Sequence, residues 1–223
     1  MNQYFTNNEN LKSEYRKLKY NYLEHEFDFT SDLGVFSKDR IDFASKLLIE
    51  TYFKNGRKNI NVLDVGCGYG LIGITISRIM NSTVDMIDIN KRAIHLTDLN
   101  IKNNYAKAKV FESNIYENIK DKYDVIITNP PIRAGKDVYM KILMDASNYL
   151  NNDGELWFVM NKDHGAKSTI EKMKNVYDIT ILDRKKGFFV ISCKKRWHNH
   201  FLLIKFYIGD VLSNLLDLRL KNY

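Results

Sequence analysis

Asn61-Val62-Leu63-Asp64-Val65-Gly66-Cys67-Gly68-Tyr69-Gly70-Leu71-Ile72-Gly73 is an apolar, β-branched run that breaks into alternating glycines and restarts as an apolar stripe. It reads as strand, tight turn and helix start. Gly66, Gly68 and Gly70 admit positive φ and let a ligand approach the backbone. The helix start that follows favours a negative group. Gly68-x-Gly70-x-x-Gly73 also satisfies the dinucleotide pattern GxGxxG. Asp64 weighs against that reading, because its carboxylate suits an ammonium group and would repel a pyrophosphate. A ligand with an amino-acid end is therefore expected; the alternative for Asp64 is a solvated strand-end carboxylate that caps the loop.

Outward from this turn, strand and helix signals alternate. Residues 18–22 and 26–30 read as a hairpin, and 39–55 as a helix with Ile41, Ala44, Leu47, Leu48, Thr51 and Tyr52 on one stripe. Then come strand 60–65, helix 71–80, strand 83–88, helix 91–104, strands 107–112 and 123–128, helix 136–150 and strand 155–160. A helix at 167–175 precedes a hairpin, 177–183 with 187–193. The pattern predicts an α/β fold, a Rossmann-like, mainly parallel seven-stranded sheet with helices on both faces and a carboxyl-terminal antiparallel hairpin. Residues 1–36 read as an amino-terminal hairpin extension, 37–196 as the α/β domain and 197–223 as an apolar carboxyl-terminal extension.

Further candidates lie at strand ends. Asp88 closes the second strand, where a ribose-binding carboxylate belongs; Asp85 is its rival, placed more like a packing or edge residue. Asn90 is expected to cap the next helix. Asn114 follows the third strand, placed for an adenine edge or as a plain turn residue. Asn129-Pro130-Pro131-Ile132 ends the run Tyr123 to Thr128 and contains the chain's only prolines. Two fixed φ angles and an extended Asn129 aim an amide oxygen and a backbone carbonyl at one spot. That pair of acceptors suits an exocyclic amino group; the alternative is a stiff strand-to-helix turn.

Composition bounds the rest. Hydrophobic residues at 44% and charged residues at 27% are ordinary for a globular chain of 223 residues. Cys67 and Cys193 are the only cysteines, which excludes a disulfide framework or zinc ribbon and points to a reducing compartment. No apolar signal core follows Met1, so a cytoplasmic location is expected. A net charge of +7 permits a polyanionic partner without diagnosing one.

Together, Asp64-x-Gly66-x-Gly68-x-Gly70, Asp88 and Asn129-Pro130-Pro131-Ile132 resemble class I S-adenosylmethionine-dependent methyltransferases that act on an amino nitrogen. Leu33-Gly34-Val35-Phe36-Ser37 and Thr128 to Lys136 are more specific: they resemble the methyltransferase small domain of RsmC-like enzymes, which methylate guanine N2 in small-subunit ribosomal RNA. The likeness spans about residues 3–195. It implies that Asp64, Gly66, Gly68 and Gly70 hold the methionine end of S-adenosyl-L-methionine, Asp88 the ribose and Asn114 the adenine side. Asn129 then stands where cofactor and substrate amine meet, with Pro130 supplying the second acceptor. Pro131, Ile132 and Arg133 fall on the substrate side, Ile132 covering a base and Arg133 stacking on it or touching a phosphate. A solvent-facing side chain is the alternative for Arg133. Larger family members carry a duplicated amino-terminal domain that 223 residues do not accommodate, and many amino-methyltransferases have an aromatic residue where Ile132 stands.

The implied partner is ribosomal RNA or the small ribosomal subunit. Protein glutamine amide or DNA adenine methylation and a non-catalytic RNA-binding assembly factor are the alternatives. Arg184, Lys185, Lys186, Lys194, Lys195 and Arg196 are expected either to follow an RNA backbone or to be simply solvated; Lys162, His164 and Lys167 form another candidate rim. His198 and His200 have no ligand cluster around them and read as non-metal. Lys205, Asp210 and Asp217 interrupt the apolar tail, so no membrane span is expected, and its stripe suits docking or self-association.

Overall fold

Apolar strands buried on both faces dictate the layering. The computed structural model describes residues 12–196; His198, His200 and the expected docking tail lie outside the described residues. The chain runs β1 (Arg16–Tyr22), β2 (His25–Ser31), α1 (Phe43–Asn55), β3 (Asn61–Val65), α2 (Leu71–Met80), β4 (Thr83–Asp88), α3 (Lys91–Asn103) and β5 (Ala108–Glu112). It continues through β6 (Tyr123–Thr128), α4 (Lys136–Tyr149), β7 (Leu150–Asn161), α5 (Ala166–Met173), β8 (Tyr177–Lys185) and β9 (Phe188–Lys195).

Seven strands form one sheet in the order β5-β4-β3-β6-β7-β9-β8, with β9 antiparallel to both of its neighbours and the other pairs parallel. Val62, Val125, Ile127, Trp157 and Val159 face the core that holds α1, α2 and α3. Leu63, Val65, Ile126, Leu156 and Phe158 face the opposite core, with α4 and α5. This two-sided burial is why the central strands read as nearly continuous apolar runs. The strand order reverses between β3 and β6, so the crevice outside their carboxyl ends is a ligand-binding switch point. No helix among the described residues is long and apolar enough to cross a membrane.

Two expected boundaries move by four residues or more. Helix α1 starts at Phe43 rather than 39, because the Asp42 carboxylate accepts the Ser45 N–H at 2.8 Å and caps the helix there. Residues 37–42 are thereby left as a loop, and Ile41 is only partly buried against the core. Strand β7 starts at Leu150 rather than 155: Leu150 pairs with Tyr123 and Glu155 with Val125, so a bulge lies between them.

The β1–β2 hairpin is a separate two-stranded sheet docked on α3 by two asparagines. Asn100 accepts the Thr30 N–H at 2.8 Å and donates to the Thr30 carbonyl at 2.9 Å. Asn104 accepts from Asp28 N–H at 3.0 Å and donates to the Asp28 carbonyl at 2.9 Å. Four helical residues advance about 6 Å, close to the roughly 7 Å of two strand residues, so the two amides imitate a neighbouring strand. Asn100 also donates to the Tyr69 carbonyl at 2.8 Å, tying the hairpin to the glycine turn. Asp32, buried at the end of β2, pairs with Arg92 of α3 at 2.6 Å.

Asn100→Leu would strand the Thr30 N–H, the Thr30 carbonyl and the Tyr69 carbonyl without partners. At about 1–3 kcal/mol for each buried orphan, the expected loss is at least about 3 kcal/mol, read as a fall in the urea midpoint. A midpoint within error of wild type would show that these bonds carry no net stability.

Candidate active site

A cavity of about 890 Å³ opens at the carboxyl ends of β3, β4 and β6. Gly66, Gly68, Asp88, Asn114, Asn129, Pro130, Pro131, Ile132 and Arg133 all line it. Asp64 and Gly70, also picked out in the sequence, are outside its wall.

The glycine turn is pinned from two sides. Gly66 and Cys67 donate their N–H groups to the Ile87 carbonyl at 2.8 and 3.0 Å, holding the turn against β4. Gly66 has φ +73° and nothing within 4 Å of the position a Cβ would take, so its backbone is open to a ligand. Gly70 serves packing instead: a Cβ there would stand 2.8 Å from Ile74 and 3.0 Å from Thr97, at φ +91°.

Asp64 corrects the sequence reading. Of its two expected settings the solvated strand end is overturned, because the carboxylate is wholly buried on the α2 side of β3. Alternation along β3 places it on the same face as Val62. Oδ2 accepts the Gly73 N–H at 2.9 Å, closing the turn onto the first turn of α2, while Oδ1 has no partner. Burial pushes its carboxyl up to about 7, against the Gly73 hydrogen bond and with the nearby Asp88 adding to the rise.

Asp88 accepts from Gly68 N–H through Oδ2 and from Asn90 N–H through Oδ1, both at 2.9 Å. Burial nevertheless raises its carboxyl to about 6. Asp85 turns away, accepting from the Tyr123 hydroxyl at 2.7 Å and pairing with Lys109 at 3.2 Å. Asn90 caps α3 by accepting the Arg92 N–H at 3.0 Å. Asn114 is exposed at the cavity edge, its amide donating to Glu117 at 2.7 Å.

At the other half, Pro131 has φ −75° and ψ 79°, and the Ile132 N–H donates to the Pro130 carbonyl at 2.9 Å. This inverse γ-turn holds the carbonyl still but occupies one of its two lone pairs, which the sequence did not reveal. Asn129 donates its amide hydrogens to Ser45 Oγ at 2.9 Å and Asp42 Oδ2 at 3.2 Å. Its Oδ1 accepts from no described residue and is not sealed inside the protein. Sequence reasoning missed Asp42 and Ser45; an Asp just before a helical stripe was the available signal.

The expected carboxyl-terminal cation cluster is largely engaged. Lys194 pairs with Glu155 at 3.4 Å and Arg196 with Asp178 at 2.7 Å; Arg184 lies over the Phe189 ring and Lys186 over Phe43. Lys38, Arg40 and Arg133 instead line the cavity, with His164 from the second expected rim.

The description "Methyltransferase small domain" matches residues 26–192 of this chain. The chain is 39% identical over 197 residues to the uncharacterized protein YbxB of Bacillus subtilis, covering 86% of itself and 98% of that protein. It is 32% identical over 157 residues to ribosomal RNA small subunit methyltransferase C of Buchnera aphidicola, covering 68% of itself and 46% of that enzyme. The solved Thermus thermophilus 16S rRNA N2 G1207 methyltransferase, in complex with AdoMet and guanosine, superposes with a TM-score of 0.74 at 26% identity. That likeness covers 83% of this chain and 52% of the other, so the chain spans about half the length of these two ribosomal RNA enzymes. The cavity fits AdoMet chemically: open backbone at Gly66 and a carboxylate in the wall at Asp88.

The raised carboxyls have a consequence for stability. A carboxyl whose folded pKa exceeds its ordinary value contributes fully below about pH 4, and the contribution fades as pH rises through the folded value. For Asp64 that window runs up to about 7. Asp64→Asn should therefore gain stability relative to wild type between pH 4.5 and 7.5, measured by urea unfolding without cofactor. A pH-independent difference would show that the buried acid does not titrate in this range.

Proposed function

The chain belongs to the methyltransferase small domain family and is an S-adenosylmethionine-dependent methyltransferase, and from that premise we propose that its acceptor is the N2 amine of a guanine in small-subunit ribosomal RNA. The observation that carries this reading is the Asn129 amide: its nitrogen donates to Asp42 and Ser45, its oxygen has no partner among the described residues, and both Asn129 and Pro130 line the cavity. In the same reading, the protein works in the cytoplasm with that RNA.

When bound, S-adenosylmethionine supplies a methyl group activated on a sulfonium. A guanine amino nitrogen is a poor nucleophile because its lone pair is delocalised into the ring. Asn129 Oδ1 and the remaining lone pair of the Pro130 carbonyl accept its two hydrogens and turn the nitrogen lone pair out of the ring system. The site's contribution is orientation, and no ionised base is required before attack. Ile132 and Phe36 offer apolar surface in the cavity for a base drawn out of its stack. Lys38, Arg40 and Arg133 supply positive charge around the same cavity for adjoining phosphates.

Asn129→Ala should lower turnover about 100-fold or more, with cofactor binding by calorimetry unchanged. Mass mapping of small-subunit RNA from cells with and without the protein should reveal one missing guanine methyl mark. An unchanged RNA map, with transfer to protein or DNA instead, would overturn the substrate.

The double variant Arg40→Ala/Arg133→Ala should weaken RNA binding and flatten its log-log salt dependence by about 1.4, at roughly 0.7 per lost phosphate contact. An unaltered slope would move the RNA path elsewhere.

A further inference from the structure

We propose that Asp42 and Ser45, at the start of α1, are positioning residues for methyl transfer: they lock the Asn129 amide oxygen-outward and place a negative charge behind it. The proposal rests on the reading of Asn129 as acceptor of the substrate amine, and it says how that acceptor is made competent.

An amide is nearly symmetric in shape, so packing alone does not choose which end meets the substrate. In the reversed orientation Nδ2–H would face the hydrogens of the substrate amine, donor against donor. The α1 terminus removes that option. Asn129 Nδ2 stands 3.2 Å from Asp42 Oδ2 and 2.9 Å from Ser45 Oγ. An ionised carboxylate only accepts, so placing Oδ1 there would set two acceptors against each other. Asp42 is itself held, because the same Oδ2 caps α1 by accepting the Ser45 N–H at 2.8 Å. One side chain thus ends the helix and orients the amide, and Ser45 is buried at 6% exposure between them.

The charge matters as well as the geometry. A hydrogen bond to a carboxylate polarises the amide and makes its oxygen a stronger acceptor. As the nitrogen–methyl bond forms and the sulfur–methyl bond breaks, positive charge grows on the nitrogen and its N–H groups become better donors, and the surplus proton leaves to water once transfer is complete. Oδ1 then interacts more strongly in the transition state than in the bound substrate, which raises kcat rather than affinity. Within Asn129-Pro130-Pro131-Ile132 there is no ionisable side chain, and among the described residues Asp42 is the carboxylate bonded to Asn129.

The test uses the full chain, labelled S-adenosylmethionine and small ribosomal subunits from cells lacking the protein. Asp42→Asn keeps a competent helix cap and an oxygen acceptor while deleting the charge. It should lower kcat about 10–100-fold, with the KM for subunits and the calorimetric Kd for cofactor within about twofold. Ser45→Ala should lower kcat about tenfold, and Ser45→Thr should restore most of that loss. Since both residues act through Asn129, Asp42→Asn/Asn129→Ala should be no slower than Asn129→Ala alone. Wild-type kcat in Asp42→Asn, or a double variant slowed by the full product of the two single effects, would overturn the proposal while leaving the acceptor role intact. Wild-type turnover by Asn129→Ala would instead remove the acceptor role, and the proposal with it.

Discussion

A carboxylate without solvent holds the ligand-facing backbone in place. Asp64 is fully buried, and its bond to the Gly73 N–H joins the end of β3 to the first turn of α2 across the three glycines. If the turn relaxed, Gly66 would lose the register that lets it and Cys67 share the Ile87 carbonyl. The raised pKa of Asp64 is the cost of that arrangement.

The second half of the site depends on a contact between elements far apart in the chain. Helix α1 precedes the parallel strands, yet its first turn reaches Asn129, 87 residues after Asp42. Packing brings them together: Tyr52 of α1 meets Trp157 of β7 edge-on at 4.9 Å, seating the helix against the sheet beside β6. The hairpin adds a third tie, since Asn100 binds both β2 and the Tyr69 carbonyl of the glycine turn. The cavity is therefore built by elements from most of the described chain, although its chemistry is concentrated in two short motifs.

Legibility followed locality. Helix α2 and strands β4 and β6 match their expected bounds because apolar periodicity, glycine and proline encode them within a few residues. The start of α1 was misplaced because Asp39 and Asp42 are both good caps; only the fold shows which carboxylate meets a free N–H. The run at 150–154 was missed because a bulge has no period of its own. The positive charges at 184–196 read as a patch, but Glu155, Asp178 and Phe43 come to Lys194, Arg196 and Lys186 from outside that stretch.

By itself the amino-acid order determined the α/β alternation, the glycine turn, the Asn-Pro-Pro corner and the resemblance to a methyltransferase family, since each is written in adjacent residues. Tertiary structure alone decided that Asp64 lies under the turn, that Pro130 has one lone pair left, and which end of the Asn129 amide is presented. Those are properties of partners brought from distant segments. A buried acceptor or an amide's orientation is set by what surrounds it in space, and no local pattern carries that information.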